Sequence, residues 1–286
     1  MPDHADPLSA TGHVPVAGQG LLDLAVDIAQ EAGALLRAYA GRTDLDVGTK
    51  TTATDPVSAA DRASEQLISD RIGAARPDDG LLGEERAGDR RGTSGLRWVV
   101  DPLDGTVNYL YGIPQWCVSI AVEDDAGPLV GVVHDPNRDE TFAARRGAGA
   151  TLNGAVLRIS PPERVSAALI ATGYSYDAAA RLAHATMLAD LIGEVRDLRR
   201  CGSAALDLSW IAAGRWDGYA EFGLNRWDWS AASLVVLEAG GTLTRWRNDL
   251  GGASLDGITA GSAPVHDHLV TWLRRHGASR LPWPGD

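Results

Sequence analysis

The sequence has few cysteines, no long apolar run and no excess of positive charge, and each absence excludes a class of protein. Two cysteines in 286 residues cannot supply the disulfide framework that staples a small secreted domain. No apolar stretch approaches the roughly 18 residues of a membrane-spanning helix. The net charge of −12 argues against nucleic acid or an anionic membrane as partner, because both carry negative charge themselves.

Motifs of several common enzyme mechanisms are also missing. The chain has no G-x-S-x-G turn, no G-K-(S/T) phosphate loop and no C-x-x-C metal pair. Residues 1–20 are rich in Pro, Gly, Asp and His and lack the basic start and apolar stretch of a signal peptide. We therefore expect a disordered N-terminal tail and a cytoplasmic protein.

Helical and strand-like patterns alternate along the rest of the chain. The helical runs are residues 21–39, 63–72, 178–191, 203–213, 229–239 and 265–276. Residues 147–154 have the composition of a loop, and Ser160-Pro161-Pro162-Glu163 interrupts both helix and sheet. The order predicts an α/β layered architecture, with a junction that separates an N-terminal subdomain, residues 21–160, from a C-terminal one, residues 161–286.

The most informative stretch is residues 97–109, RWVVDPLDGTVNY. Pro102 cannot continue a strand ladder, so we expect the apolar strand to end at Asp101. Asp101 and Asp104 would then lie on one sharp turn, where two like charges resist ionisation unless a cation lies between them. A hard divalent cation such as Mg2+ prefers oxygen ligands of this kind. The alternative is a polar loop with an Asx turn and two solvated acids.

Other acidic residues in the chain each have an ordinary structural explanation. Ser58 and Asp61 have the spacing of a helix capping box. Adjacent acids such as Glu84-Glu85 are usually a solvated face, and Asp228 fits a helix N-cap. No single acid identifies a site, so the set has to be considered together.

In their order and local sequence, these acids resemble the inositol monophosphatase family of Mg2+-dependent, lithium-sensitive phosphomonoesterases. Gly83-Glu84-Glu85 is similar to the family's G-E-E segment, and residues 101–106, DPLDGT, are similar to its D-P-(I/L)-D-G-T signature. Trp227-Asp228, followed by EAGG at residues 238–241, is similar to the second signature. The resemblance covers nearly the whole chain after residue 20. It implies a layered αβαβα sandwich, in which two sheets are sandwiched by helices, and a homodimer.

The resemblance also implies a site for two to three Mg2+ ions. By position, Glu84, Asp101 and the Leu103 carbonyl would hold the first ion. Asp101, Asp104 and Asp228 would hold the second, and Glu84 would help to hold a third. A few carboxylates combined with substrate oxygens are the usual surroundings of Mg2+.

The catalytic residues that the resemblance implies are Asp61, Thr106 and Glu84. Asp61 and Thr106 would orient and deprotonate a metal-bound water, which attacks phosphorus in line without a covalent phosphoenzyme. The phosphate would lie beside Asp104, against the N–H groups of Gly105 and Thr106, where the turn enters a helix.

A second group of residues would bind the leaving alcohol in this resemblance. Glu221 lies at the position that binds ring hydroxyls, and Gly202-Ser203-Ala204 is the other substrate segment. Lys50 matches a basic position near the metal ions. A strand-end acid and a solvated loop lysine are the alternative interpretations of Glu221 and Lys50.

Two departures from the family pattern bear on the identity of the alcohol. Asn225 and Arg226 precede Trp227 where animal members tend to have histidine and cysteine, and Trp229 is bulky beside Asp228. A charged Arg226 beside the leaving-group pocket would favour a substrate with a second anionic group.

The leading prediction is hydrolysis of myo-inositol monophosphate. Alternatives are histidinol phosphate, fructose 1,6-bisphosphate, 3'-phosphoadenosine 5'-phosphate, or a non-catalytic regulatory binding protein.

Overall fold

The computed structural model describes residues 17–40, 48–49, 56–85 and 89–283. The helices in these ranges are α1 (Ala17–Tyr39), α2 (Ala59–Ala75), α3 (Thr106–Leu110), α4 (Ala178–Leu191), α5 (Ala204–Ala212), α6 (Arg226–Glu238) and α7 (Ala263–Arg275). The strands are β1 (Gly48–Thr49), β2 (Pro56–Val57), β3 (Gly80–Gly83), β4 (Arg97–Asp104), β5 (Cys117–Asp124), β6 (Gly127–Asp135), β7 (Glu140–Arg145), β8 (Gly149–Leu152), β9 (Ala155–Val156), β10 (Leu169–Ala171), β11 (Asp197–Arg199), β12 (Gly218–Phe222), β13 (Thr242–Leu250), β14 (Ala253–Gly261) and β15 (Ser279–Leu281). None of these helices combines the length and hydrophobicity needed to cross a bilayer.

The two large sheets lie on either side of the Pro161-Pro162 interruption in the sequence. The first has the strand order β3-β4-β5-β6-β7-β8-β9 and is antiparallel apart from the parallel pair of β3 and β4. The second has the order β11-β10-β12-β14-β13-β15, and β10 is parallel to both of its neighbours. The division of the chain into subdomains at residue 160 stays a prediction.

The helices and the two large sheets form five layers, and three groups of buried side chains pack between them. Along β4, Trp98 and Val100 pack in one group with α1 and α2, whereas Val99 packs in another with α5 and α6, as the alternation of side chains along a strand requires. The inner face of the second sheet also packs against α5 and α6, and its outer face against α4 and α7. The predicted αβαβα sandwich is confirmed, with α5 and α6 between the two sheets.

Three local predictions are wrong. The predicted N-terminal tail, residues 1–20, overlaps α1, which begins at Ala17; the rest of that tail lies outside the described residues. β4 does not stop before Pro102 but continues to Asp104, and its register against β5 shifts between Asp101 and Asp104. β3 pairs with β4 only as far as Val100, so Pro102 lies in the irregular part, where its nitrogen is not required as a ladder donor. Residues 147–154, predicted as a loop, contain strand β8.

One buried histidine makes stability depend on pH. His184 on α4 lies against the rings of Tyr174 and Phe222, and burial lowers its pKa from 6.5 to about 4. Between these values the unfolded chain binds a proton that the folded chain does not. The free energy of unfolding should therefore fall as the pH drops through this window, by about 3 kcal/mol from this group.

We expect His184→Leu to reduce this dependence. Urea denaturation at about pH 7 and about pH 4.5 should show a difference in unfolding free energy about 2 kcal/mol smaller than in the unmodified protein. His268→Gln is the control, because His268 is partly exposed and pairs with Glu194. An unchanged difference in the leucine variant would contradict the prediction.

Candidate active site

Most of the predicted site residues line one pocket, at the ends of β4 and β12 and the N-termini of α3, α5 and α6. Those that line it are Glu84, Asp101, Leu103, Asp104, Gly105, Thr106, Gly202, Ser203, Ala204, Glu221 and Asp228. Asp61 does not line the pocket but reaches it through a hydrogen bond described below. Lys50 lies outside the described residues. The chain thus brings five acidic side chains from both halves of the sequence to one place.

Asp101 and Asp104 are held by different parts of the chain. Asp101 Oδ1 accepts the Leu103 N–H at 3.0 Å, which is the Asx turn of the alternative interpretation. The two acids are only 2% and 9% exposed, however, so neither is solvated. Asp104 Oδ2 accepts the Ser203 hydroxyl and the Ala205 N–H, both at 2.7 Å. These donors lie at the start of α5, where the helix dipole favours negative charge.

Asp61 and Thr106 form a hydrogen-bonded pair behind this turn. Asp61 Oδ2 accepts the Ser58 N–H at 2.9 Å and the Ser58 hydroxyl at 2.5 Å, and the predicted capping box is present. Asp61 Oδ1 accepts the Thr106 hydroxyl at 2.9 Å. One carboxylate therefore serves a helix cap with one oxygen and the pocket with the other.

Glu84 and Asp228 are brought to the pocket by different elements. The Glu84 N–H donates to the Val100 carbonyl at 3.2 Å, just past the end of β3. Asp228 lies in the first turn of α6, and its Oδ2 accepts the Asn225 N–H at 2.6 Å. The N-cap of α6 is therefore Asn225, and Asp228 is its reciprocal partner.

The charges at this end of the pocket fit a bound cation. Burial, followed by the negative charges of Glu84 and Asp104, raises the pKa of Asp228 well above its ordinary value. Burial also raises the pKa of Asp104. A cation relieves this kind of repulsion. Among the described residues, no three Asp, Glu, His or Cys side chains lie together as a ready-made metal site. An ion bound here would therefore need ligands besides the side chains, and Mg2+ commonly keeps several waters.

Glu221 lies where sequence reasoning expected the alcohol. Its Oε2 accepts the Tyr219 hydroxyl at 2.5 Å, and enclosure by protein raises its pKa to about 7. A Cβ atom at Gly173 would lie 2.0 Å from this carboxylate, so glycine is needed there to leave room for it. Glu221 is therefore a packed part of the pocket wall, which excludes the alternative of an exposed strand-end acid.

Arg200 is a pocket residue that sequence reasoning missed. It is the one cationic side chain among the described residues that line the pocket, and its positive charge acts on Glu221. Its position two residues before the Gly202-Ser203-Ala204 segment could have indicated from the sequence that it lies near the substrate pocket.

The prediction that Arg226 lies beside the pocket is wrong. Its Nε donates to Glu123 at 2.7 Å, and its guanidinium lies 4.5 Å from the centre of the Trp229 ring. Both partners hold Arg226 outside the set of residues that line the pocket. A second anionic group of a substrate would therefore meet Arg200 rather than Arg226.

Comparison with known proteins shows the family to which the chain belongs. Residues 19–276 match the model of the inositol monophosphatase family. Inositol-1-monophosphatase of Rhizobium meliloti is 41% identical over 266 residues, which cover 91% of this chain and 96% of that protein. The Nus factor SuhB of Escherichia coli is 38% identical over 259 residues, covering 89% and 96%. The crystal structure of the extragenic suppressor protein SuhB from Bartonella henselae has a TM-score of 0.82 at 38% identity, covering 90% of this chain and 99% of that one. The chain therefore belongs to the inositol monophosphatase family of the phosphatase superfamily.

Proposed function

We propose that the protein is a Mg2+-dependent phosphomonoesterase that hydrolyses myo-inositol monophosphate to inositol and phosphate. The observation that carries the proposal is the Asp61–Thr106 hydrogen bond beside buried Asp101 and Asp104. A binding protein needs acids to hold a cation but has no use for a hydroxyl oriented by a buried carboxylate. Family membership and the names of relatives such as the Rhizobium meliloti enzyme support the same activity.

The residues proposed to hold two to three Mg2+ ions line the pocket around Asp104 and Asp228, whose pKa values burial raises. They are Glu84, Asp101, the carbonyl of Leu103, Asp104 and Asp228. When bound, the ions would lower the pKa of a coordinated water and offset the charge of the phosphate.

The chain's own part in the reaction is to place and deprotonate the attacking water. Because Thr106 donates its hydroxyl proton to Asp61, its oxygen lone pairs remain able to accept a hydrogen bond from water. Asp61 Oδ1 then takes up the proton through this hydroxyl. Asp61 is 0% exposed, so solvent does not compete for it. Glu84, which also lines the pocket, completes the proposed catalytic set.

The phosphate is proposed to lie against the N–H groups of Gly105 and Thr106, at the start of α3. Gly105 has φ of 99°, and a Cβ atom there would lie 2.8 Å from the Gln115 carbonyl oxygen. Both the left-handed backbone and the close approach require glycine. The turn thus brings main-chain donors close to Asp104, where the phosphate is expected.

The leaving alcohol is proposed to bind at the other end, between Glu221, Arg200 and the Gly202-Ser203-Ala204 segment. A carboxylate accepts hydrogen bonds from neighbouring hydroxyls, and a guanidinium donates them. A polyol offers both donors and acceptors and therefore suits this pair. Lys50 stays a predicted contact. A homodimer, lithium sensitivity and a cytoplasmic location are proposed on the resemblance alone.

Glu221→Gln should weaken discrimination among alcohols more than it slows hydrolysis itself. We expect the ratio of kcat/KM for inositol 1-phosphate to that for p-nitrophenyl phosphate, which lacks ring hydroxyls, to fall about tenfold, because a charged hydrogen bond acceptor is lost. Glu140→Gln is the control, since Glu140 pairs with Arg215 away from the pocket. An equal loss of kcat/KM on both substrates would mean that Glu221 does not take part in alcohol recognition.

A second candidate function is regulation by binding, without catalysis. The observation that favours it is that relatives such as the Escherichia coli protein carry the name Nus factor. A panel of inositol 1-phosphate, histidinol phosphate, fructose 1,6-bisphosphate and 3'-phosphoadenosine 5'-phosphate, with phosphate release as the readout, separates the candidates. Release from none of them would favour the binding function.

A further inference from the structure

A buried carboxylate outside the pocket joins the elements that carry the pocket's acids. Glu123 on β5 is 3% exposed. Its Oε1 accepts Arg226 Nε at 2.7 Å and the Ser230 hydroxyl at 2.5 Å, and its Oε2 accepts Arg97 at 2.8 Å. Arg97 is the first residue of β4, and the other two donors lie at the start of α6. One side chain therefore connects β4, β5 and α6.

The two partners on α6 lie on either side of Asp228 in the sequence. Arg226 precedes it by two residues and Ser230 follows it by two. Successive residues of an α-helix are rotated by about 100°, so a separation of two places side chains on roughly opposite faces. Glu123 thus holds the face of α6 that points away from Asp228, while Asp228 faces the pocket. Asp101 and Asp104 lie at the far end of the strand that Arg97 begins.

Close packing also holds α6 between the two sheets, and its buried side chains include Trp229, Leu234 and Val235. A Cβ atom at Gly131 of β6 would lie 2.4 Å from the Ala231 carbonyl oxygen, so helix and strand touch through their backbones. This packing is apolar and sets how closely the helix approaches the sheets, whereas hydrogen bonds depend on direction. The two hydrogen bonds that Glu123 accepts from Arg226 and Ser230 add a directional restraint on the first turns of α6, beside Asp228.

We propose that Glu123 is a positioning residue for the divalent cation site, because its bonds to Arg226, Ser230 and Arg97 orient the start of α6, which carries Asp228, relative to β4, which carries Asp101 and Asp104. The inference rests on the proposed function, which supplies the cation. Mg2+ requires nearly ideal octahedral geometry, so a small displacement of one carboxylate weakens binding. Residues that orient metal ligands commonly change metal affinity by about 10- to 100-fold when they are replaced.

Calorimetric titration of Mg2+ into the substrate-free protein tests this role. We expect Glu123→Gln to raise the dissociation constant for Mg2+ about tenfold. At saturating Mg2+ its kcat should return to within about threefold of the unmodified value, because none of the reacting groups has changed. The matched control is Glu140→Gln, which breaks the two-armed ion pair of Glu140 with Arg215. It should lower the Tm comparably but leave Mg2+ affinity within about twofold, since distant sites act independently.

The outcomes separate this inference from the function on which it rests. If Glu123→Gln has a lower Tm but binds Mg2+ with the affinity of the unmodified protein, Glu123 has only a structural role and the inference is overturned. If that variant does not fold, Ser230→Ala removes a single bond and should raise the dissociation constant about threefold; no change would again overturn it. If the unmodified protein binds no Mg2+, the proposed function fails and the inference fails with it.

Discussion

Replacement of Asp101 by asparagine is expected to lower Mg2+-dependent phosphate release by about a thousandfold or more while the fold is retained. The asparagine carbonyl oxygen can still accept the Leu103 N–H that Asp101 Oδ1 accepts at 3.0 Å, so the turn persists. The negative charge that would bind the cation is lost, and several kcal/mol of transition-state stabilisation is lost with it.

Initial rates and thermal unfolding, each with and without Mg2+, measure both parts of this expectation. Mg2+ should raise the Tm of the unmodified protein, because a ligand that binds only the folded state stabilises it. The Asp101 variant should show little of that increase. Asp125→Asn, in the exposed turn between β5 and β6, is the control. Full activity in the Asp101 variant would refute the assignment of Asp101 as a metal ligand.

Thr106→Val is expected to lower kcat by about 10²- to 10⁴-fold, the usual contribution of general acid–base catalysis. Valine keeps the shape of threonine but lacks the hydroxyl that joins the pocket to Asp61. The Mg2+ concentration for half-maximal binding should change little, because the acids are untouched. Steady-state rates at saturating Mg2+ give kcat, and calorimetry gives metal affinity.

Thr106→Ser is the matched variant for this prediction, because serine restores a hydroxyl at the same position. It should recover most of the activity that valine loses. A valine variant with normal kcat would mean that Asp61 serves only as the partner of Ser58 in the helix cap.

Features with a local cause were predictable from the sequence. The spacing of apolar residues located α4 from Ala178 to Leu191 as observed, and Asp101, Asp104 and Asp228 of the two signatures do meet in one pocket. From the sequence, Asp61 had two alternative interpretations, a partner in a helix cap or an acid that orients water. In the structure its two oxygens make both sets of contacts.

Features that depend on distant contacts were not predictable. Pro102 ends a strand only where a neighbouring strand needs its N–H, and the sequence does not say where β3 stops pairing. Glu123 and Arg226 are separated by 103 residues, so no local pattern shows that Arg226 points away from the pocket. Of the adjacent Arg199 and Arg200, only the structure shows that Arg199 pairs with Asp197 while Arg200 lines the pocket.

Phosphate release from inositol 1-phosphate by the purified protein, with Mg2+ and with a chelator, tests the central claim most directly. We predict that turnover of inositol 1-phosphate requires Mg2+. We also predict that it is faster than turnover of histidinol phosphate, fructose 1,6-bisphosphate and 3'-phosphoadenosine 5'-phosphate. A preference for another of these esters would retain the mechanism and move the question of specificity to Glu221 and Arg200. Absence of Mg2+-dependent release from every ester would contradict the claim that this pocket is a phosphatase active site.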